Sequence, residues 1–355
     1  MKKLHFIALG ALATIFCGCS SNDEPTPPPS TTAQGLFILN QGNFQFGNST
    51  LTYYTPDNEV AEQEVFYRAN DAKLGDLAQS MTIDDNNTGW VVVNNSNVIF
   101  AIDADTFKEK GRITSGIISP RFIHFVSPSK AYVTQLYDNR IAIVDPTKYE
   151  VTGYITIPGM DVSTGSTEMM VQVGKYVYVN CWSYNNTIVR IDSASDTVDG
   201  SLTTGIQPKA MTLDVNNNIW CVTDGGYEGS YYGYENPTLI KINTSTFTID
   251  RTFELEKGAN IATIVTNGAK DRIYWVCNDV YTMSINDTKL PEKPIISAEG
   301  NWLNGLTVDP QRGDIYIANA LDYVQPGIVL RYCSEGNLLS TIRAGVIPGA
   351  FCWKK

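Results

Sequence analysis

Short apolar runs closed by polar turns succeed one another along most of the chain. Aligned on the turn, they read LTYYTPDNEV, IFAIDADTFK, IAIVDPTKYE, IVRIDSASDT, LIKINTSTFT, YTMSINDTKL and VLRYCSEGNL. The turn positions are Thr55, Asp103, Asp145, Asp192, Asn243, Asn286 and Cys333, so the unit recurs every 42 to 51 residues. A second feature repeats with it: MTIDDNNTGWVVV, MTLDVNNNIWCVT and LTVDPQRGDIYIA each read as strand, Asn/Asp/Gly turn, strand. No long apolar stretch of helical period lies between the units. Seven strand-rich repeats of this length predict an all-β chain folded as a seven-bladed β-propeller.

Each blade then reads as four antiparallel strands, A at the axis to D at the rim. The first unit begins at GLFILNQ, which has the character of a B strand, and the chain ends in VIPGAFCW, an A strand with no B strand after it. The predicted ring is therefore closed by the C-terminal strand pairing into the N-terminal blade, which leaves no free sheet edge there. Residues 35–355 form this one domain. A length of 355 residues would otherwise suggest two.

The N-terminus carries a different pattern. Lys2 and Lys3 precede an apolar run from Phe6 to Phe16, then Gly18, Cys19 and the polar stretch SSNDEPTPPPSTTAQG. This reads as a lipoprotein signal over residues 1–18, lipidation at Cys19 and a flexible tether over residues 19–34. Gly18 provides the small residue needed before a lipidated cysteine, and the apolar run is too short to span a bilayer. An ordinary cleaved secretory signal is the alternative. The acidic segment after Cys19 resembles the surface-export signal of Bacteroidetes lipoproteins, which places the folded part at the cell surface, lipid-anchored in the outer membrane. Loss of the signal takes the formal charge from -11 to -13. Such a surface repels phosphate backbones and argues against nucleic acid as a partner. The five remaining cysteines, Cys181, Cys221, Cys277, Cys333 and Cys352, match no zinc spacing. Cys221 and Cys277 sit in apolar runs and read as small buried hydrophobes.

In a propeller the B–C and D–A loops emerge on one face, and here they are the long ones. They carry Phe44, Phe46, Tyr137, Trp182, Tyr184, Tyr227, Tyr231, Tyr232, Tyr234, Trp302 and Tyr323. The stretch Asp224 to Pro237 alone holds four tyrosines and four glycines. Glycines let it fold back, and the tyrosines offer flat apolar faces with polar tips, which suits a large polar ligand or a protein. Packing of the tyrosines on one another as a mini-core is the competing reading. Asn40, Asn94, Gln135, Asn180 and Asn278 recur where B strands end and read first as local caps, with Gln135 also a ligand candidate. Arg121 after Pro120 and Lys209 after Pro208 occupy corresponding positions near the axis, and Asp76 lies on the same loop-rich face. They complete the candidate ligand-binding set.

Catalytic chemistry is thin. Apart from His5 in the signal the chain has one histidine, His124, in an apolar A strand. A single strand histidine supports neither a His-based metal site nor a Ser/His/Asp arrangement. Propeller lactonases and quinoprotein dehydrogenases lose support, no G-x-S-x-G, P-loop or H-E-x-x-H occurs, and no carboxylate pair is singled out by spacing. Asp84, Asp85 and Asp309 read as turn residues rather than calcium ligands. The expectation is a binding protein with no catalytic residues, no metal and no intrinsic cofactor.

The first-blade string LNQGNFQFGNSTLTYYTPDNEVAEQEVFYRANDAKLGDLAQSM carries a resemblance, through Gln41-Gly42-Asn43, Asn48 to Tyr54, Phe66, Asn70, Leu74-Gly75-Asp76, Gln79 and Met81, joined by the closing IPGAFCW. It resembles the Bacteroidetes surface lipoproteins of the YncE-like, surface-layer propeller type, and among these the cobalamin-binding BtuG lipoproteins. The resemblance implies capture of cobalamin or a related corrinoid at the loop-rich face and its delivery to a TonB-dependent transporter of BtuB type. A glycan-binding propeller, or a surface-layer or adhesion module without a corrinoid ligand, remains the alternative.

Overall fold

The computed structural model describes residues 35–354. The signal, Cys19 and the tether lie outside the described residues.

Seven small antiparallel sheets form a ring. Blade 1 takes its A strand from Pro348–Trp353 and continues with Leu36–Asn40, Thr50–Thr55 and Val60–Glu62. Blade 2 comprises Ala78–Ile83, Thr88–Val93, Val98–Asp103 and Glu109–Ile113. Blade 3 comprises Pro120–Ser127, Lys130–Gln135, Arg140–Asp145 and Glu150–Thr156, and blade 4 Thr167–Val173, Tyr176–Cys181, Thr187–Asp192 and Thr197–Thr203. Blade 5 comprises Pro208–Leu213, Ile219–Thr223, Thr238–Asn243 and Thr248–Glu254, and blade 7 Leu303–Val308, Ile315–Asn319, Pro326–Tyr332 and Leu338–Val346. The C-terminal strand pairs with the first B strand in the register Leu36↔Trp353, Phe37↔Cys352, Ile38↔Phe351. The predicted ring closure is thus observed.

Blade 6 corrects the four-strand expectation. It has only Ile261–Thr266, Arg272–Cys277 and Asp279–Ser284. Pro291 and Pro294 stand where a D strand would run, and neither can donate to a ladder. What remains is an isolated bridge between Val280 and Ile296. A six-residue helix, Val65–Asn70, is the second departure. Its flanking residues Glu64 and Asp71 are left-handed and its N-cap makes no side-chain bond, so packing holds it rather than propensity. Phe66 is buried against Phe100 at 4.9 Å, and Asn70 Nδ2 donates to the Phe107 carbonyl at 2.9 Å.

Burial follows strand order. B strands are covered by blades on both faces, so Thr88–Val93 and Ile219–Thr223 are buried throughout. A rim strand such as Thr197–Thr203 alternates between exposed and half-buried positions. Cys181, Cys221 and Cys277 are buried, and burial pushes the thiol of Cys181 up to about 12 and that of Cys277 up to about 11.

The repeating turns explain the period. Asp103, Asp145, Asp192 and Asn243 each accept an amide from two residues ahead at 2.9–3.1 Å, the Asx geometry that ends the C strand. Four residues after each comes a left-handed position held by a side-chain-bearing residue: Phe107, Tyr149, Asp196 and Phe247, at φ of 61°, 57°, 55° and 53°. This conformation costs on the order of 1–2 kcal/mol per residue. Each of these side chains offsets that cost by reaching back to the preceding blade. Phe107 packs on Phe37 at 5.9 Å, Tyr149 on Trp90 at 5.7 Å and Phe247 on Tyr178 at 5.3 Å, while Asp196 takes Lys130 Nζ at 2.8 Å.

Candidate functional site

The turn aspartates are settled by geometry. Asp84 accepts the amides of Asn86 and Thr88 and the indole of Trp90 at 2.8–3.0 Å. Asp309 accepts the amides of Gln311 and Arg312 at 2.8 and 3.0 Å. Both are turn residues. The B-strand amides behave as caps that fasten one blade to the next: Asn94 Nδ2 donates to the Pro120 carbonyl at 3.1 Å and Asn180 Nδ2 to that of Pro208 at 2.7 Å.

Two expected ligand residues turn out to be occupied. Gln135 is 0% exposed, accepting from Ile118 N at 2.7 Å and donating to the Arg140 carbonyl at 2.8 Å. Asp76 is 8% exposed and uses Oδ2 to hold Gln45 N at 2.7 Å and Asn95 Nδ2 at 2.6 Å. Through Oδ2 it pins the loop that presents Phe44 and Phe46, while its Oδ1 is buried without a hydrogen-bond partner. Burial of a polar group calls for local partners, which Gln135 finds for both ends of its amide and Asp76 for one of its two oxygens.

The remaining loop aromatics fall into two groups. Over blades 3 to 5, the rings of Tyr184 and Tyr231 stack at 5.0 Å with 13° between planes, and Tyr184 shares a 2.9 Å hydroxyl hydrogen bond with Tyr227. That bond comes first among the causes that hold the Tyr184 phenol above its ordinary value, followed by partial burial and the nearby phenols of Tyr227, Tyr231 and Tyr137. Tyr231 nonetheless remains 76% exposed, and Tyr137 and Tyr227 are exposed as well, so the group is an open surface and not a buried mini-core. The loop below it is anchored at both ends. Asp224 accepts from Trp182 Nε1 at 2.8 Å, Gln207 Nε2 at 2.9 Å and Gly226 N at 3.0 Å, and Glu235 Oε1 accepts from Ile206 N at 2.6 Å. Gly225 is left-handed, and a side chain there would meet the Glu235 carbonyl at 2.4 Å. Tyr232 is half-buried, which raises its phenol, and Tyr234 lies under the Lys257 ammonium at 4.3 Å. The second group sits over blades 7 and 1, where Phe44 and Phe46 are exposed and Asn43 Nδ2 ties their loop to the Tyr323 carbonyl at 2.6 Å.

Between the groups opens an axial cavity of about 720 Å³, walled by A strands of all seven blades, with Trp182 and Trp302 at its edge. Trp302 is 54% exposed. A recurring bulge builds this wall. In each blade the A–B register slips near the first residues of the A strand, as at Ala78/Ser80, Pro208/Ala210 and Leu303/Gly305. The residue freed from the ladder faces the cavity. Those positions hold Gln79, Arg121, Glu168, Lys209, Ala262, Asn304 and Gly349. Arg121 Nε reaches both Glu168 oxygens at 2.9–3.0 Å and its Nη1 donates to Gln79 Oε1 at 2.7 Å. Sequence reasoning found Arg121 and Lys209 through the preceding prolines and missed Gln79, Glu168 and Asn304, which carry no such marker. Alignment on the second residue of each A strand would have found them. His124, one pleat further down the same wall, bonds Gln172 Oε1 through Nε2 at 2.9 Å, and burial lowers its pKa. Among the described residues no three His, Cys, Asp or Glu side chains converge as a metal-ligand set.

The match that decides the family covers residues 34–342, nearly the whole ring. The chain belongs to the DUF5074 family. That family is described as a domain of unknown function. No curated protein matches significantly. Similar solved structures include a quinonprotein alcohol dehydrogenase-like protein from Bacteroides thetaiotaomicron, with a TM-score of 0.66, 16% identity and coverage of 90% of this chain and 78% of that one. A candidate 6-phosphogluconolactonase from Bacteroides uniformis has a TM-score of 0.68 at 12% identity, covering 90% and 99%. A functionally unknown protein from Desulfotomaculum acetoxidans has a TM-score of 0.67 at 11% identity, covering 91% and 99%. At these identities the likeness is one of fold. The DUF5074 propeller therefore has to be read from its own residues.

Proposed function

We propose that this DUF5074 propeller is a ligand-binding lipoprotein, held by an acyl anchor on Cys19, that captures cobalamin or a related corrinoid at the cell surface for a TonB-dependent transporter. It acts by binding and not by turnover. The observation that carries the reading is an open aromatic surface on the loop-rich face, where Tyr231, Tyr227, Tyr137 and Trp302 are exposed, together with an axial cavity whose wall mixes the amides of Gln41, Gln79, Asn260 and Asn304 with apolar side chains. A corrinoid is broad, apolar at its methyl groups and fringed with amides, so it needs both kinds of contact. Single hydrogen bonds and ring contacts contribute only about 1 kcal/mol each, and a rigid ring is a means of preorganising many.

One observation favours a second reading, glycan capture. The Tyr184–Tyr231 pair presents a flat stacked platform of the type on which sugar faces lie. Titration of the purified chain with cyanocobalamin, read by tryptophan quenching and by co-elution of the corrin absorbance, separates the two. One-to-one co-elution is the expected result. Absence of binding together with retention on a polysaccharide column would replace the corrinoid by a glycan.

A further inference from the structure

The cation at the blade 5 bulge is set apart from its counterpart at blade 3. Arg121 is ion-paired with Glu168 through Nε and bonded to Gln79 through Nη1. The Lys209 side chain lines the same cavity and, among the described residues, makes no hydrogen bond or ion pair. The two nearby carboxylates are committed elsewhere. Glu168 is held by Arg121 and by Ser166 Oγ, and Asp224 by Trp182, Gln207 and the amide of Gly226. The Pro208 carbonyl beside it accepts from Asn180 Nδ2 at 2.7 Å, which ties this stretch of backbone to blade 4. Burial holds its pKa below that of an ordinary lysine, although Asp224 and Glu168 act against the shift. Lys209 is half-buried, and a cation partly withdrawn from water without a contact partner is an arrangement that an incoming anion would relieve.

We propose that Lys209 is the anchor of an oxyanion subsite in the axial cavity, which takes a phosphate or carboxylate group entering from the loop-rich face. Arg121, itself held by Gln79, lies across the same wall and pairs with Glu168, which offsets the repulsion that carboxylate would exert on the guest. The oxyanion has two sources: a phosphodiester on a larger ligand, or a free small anion. The first deepens the corrinoid reading and rests on it, because cobalamin carries a nucleotide tail with one phosphodiester. The second stands without it.

Two titrations of the full chain separate them. Inorganic phosphate is followed by ³¹P line broadening, and cyanocobalamin is compared with dicyanocobinamide, which lacks the phosphodiester. The subsite predicts that Lys209→Gln abolishes phosphate broadening or weakens cyanocobalamin about tenfold while leaving cobinamide unchanged, with Lys209→Arg restoring the wild-type value. Phosphate binding without any corrinoid binding would keep the subsite and remove the corrinoid. Corrinoid binding that Lys209→Gln does not touch, or weakens equally for both corrinoids, together with no phosphate broadening in the wild type, would overturn the subsite and leave the corrinoid reading standing. A thermal midpoint within about 2 °C of wild type, as expected for a side chain without bonds, certifies that the variant is folded.

Discussion

At the scale of residues, exposure and bonding separate the candidates for ligand contact from those that hold the rim in place. Tyr231 makes no side-chain hydrogen bond and is largely exposed, so Tyr231→Ala is expected to weaken ligand binding about five- to tenfold while stability stays within about 0.5 kcal/mol of wild type. Calorimetric titration paired with thermal melting reads both. Trp182 differs because its indole satisfies Asp224. Trp182→Phe should lose about 1 kcal/mol of stability as well as affinity, since the carboxylate is left short of a donor. His124 gives a pH signature. Burial lowers its folded pKa below the unfolded value of 6.5, so the folded state resists protonation more than the unfolded chain. Above pH about 6.5 its contribution is complete, and as pH falls below that value the unfolded state gains the proton first and stability drops, until the lowered folded pKa is reached. Melting curves across this window should flatten in His124→Gln, and an unchanged slope would place the titrating group elsewhere. Arg121 and Lys209 were legible in the sequence because a proline marks each bulge. The burial of Asp76 and Gln135 was not legible, because nothing in a linear pattern tells which polar side chains become enclosed.

Elements were legible where a periodic turn announced them. The Asx turns at Asp103, Asp145, Asp192 and Asn243 fix where C strands stop, by bonds to amides two residues away. Blade 6 was not legible, since its turn at Asn286 resembles the others while the prolines that follow deny it a fourth strand. The left-handed aromatic positions were also hidden, because their reward lies in the neighbouring blade. One such seam makes a sharp prediction. Gly111, in the D strand of blade 2, faces the Tyr149 ring, and an added Cβ would stand 2.4 Å from it. Gly111→Ala should therefore destabilise the protein by about 1–3 kcal/mol. In Gly111→Ala/Tyr149→Ala the clash is gone, so the double variant should be less destabilised than the sum of its single variants. Denaturant titration of the four proteins tests it, and strict additivity would place the strain elsewhere.

The whole molecule depends on its closing seam. Arg331 of blade 7 donates to Asp314 at 2.6 and 2.8 Å and to Glu59 of blade 1 at 3.2 Å, in a setting where Arg331 and Asp314 are both buried. Removing one partner strands the other, so Asp314→Ala should lower stability by about 3–5 kcal/mol, measured by urea unfolding. Ending the chain before Val346 removes the A strand of blade 1, which pairs with Leu36–Asn40 and takes the side-chain bond of Asn304 at 3.0 Å. Loss of the cooperative melting transition is the expected result. The sequence alone determined the repeat, the number of blades and the strand that closes the ring. Those follow from apolar alternation and local turn bonds, which act over a few residues and are written in order along the chain. Only the tertiary structure decided which side chains meet at the axis, which aromatics stay open and that Lys209 stands without a partner. Each of these depends on groups brought together from strands tens of residues apart, and on which polar atoms had already been satisfied by a neighbouring blade.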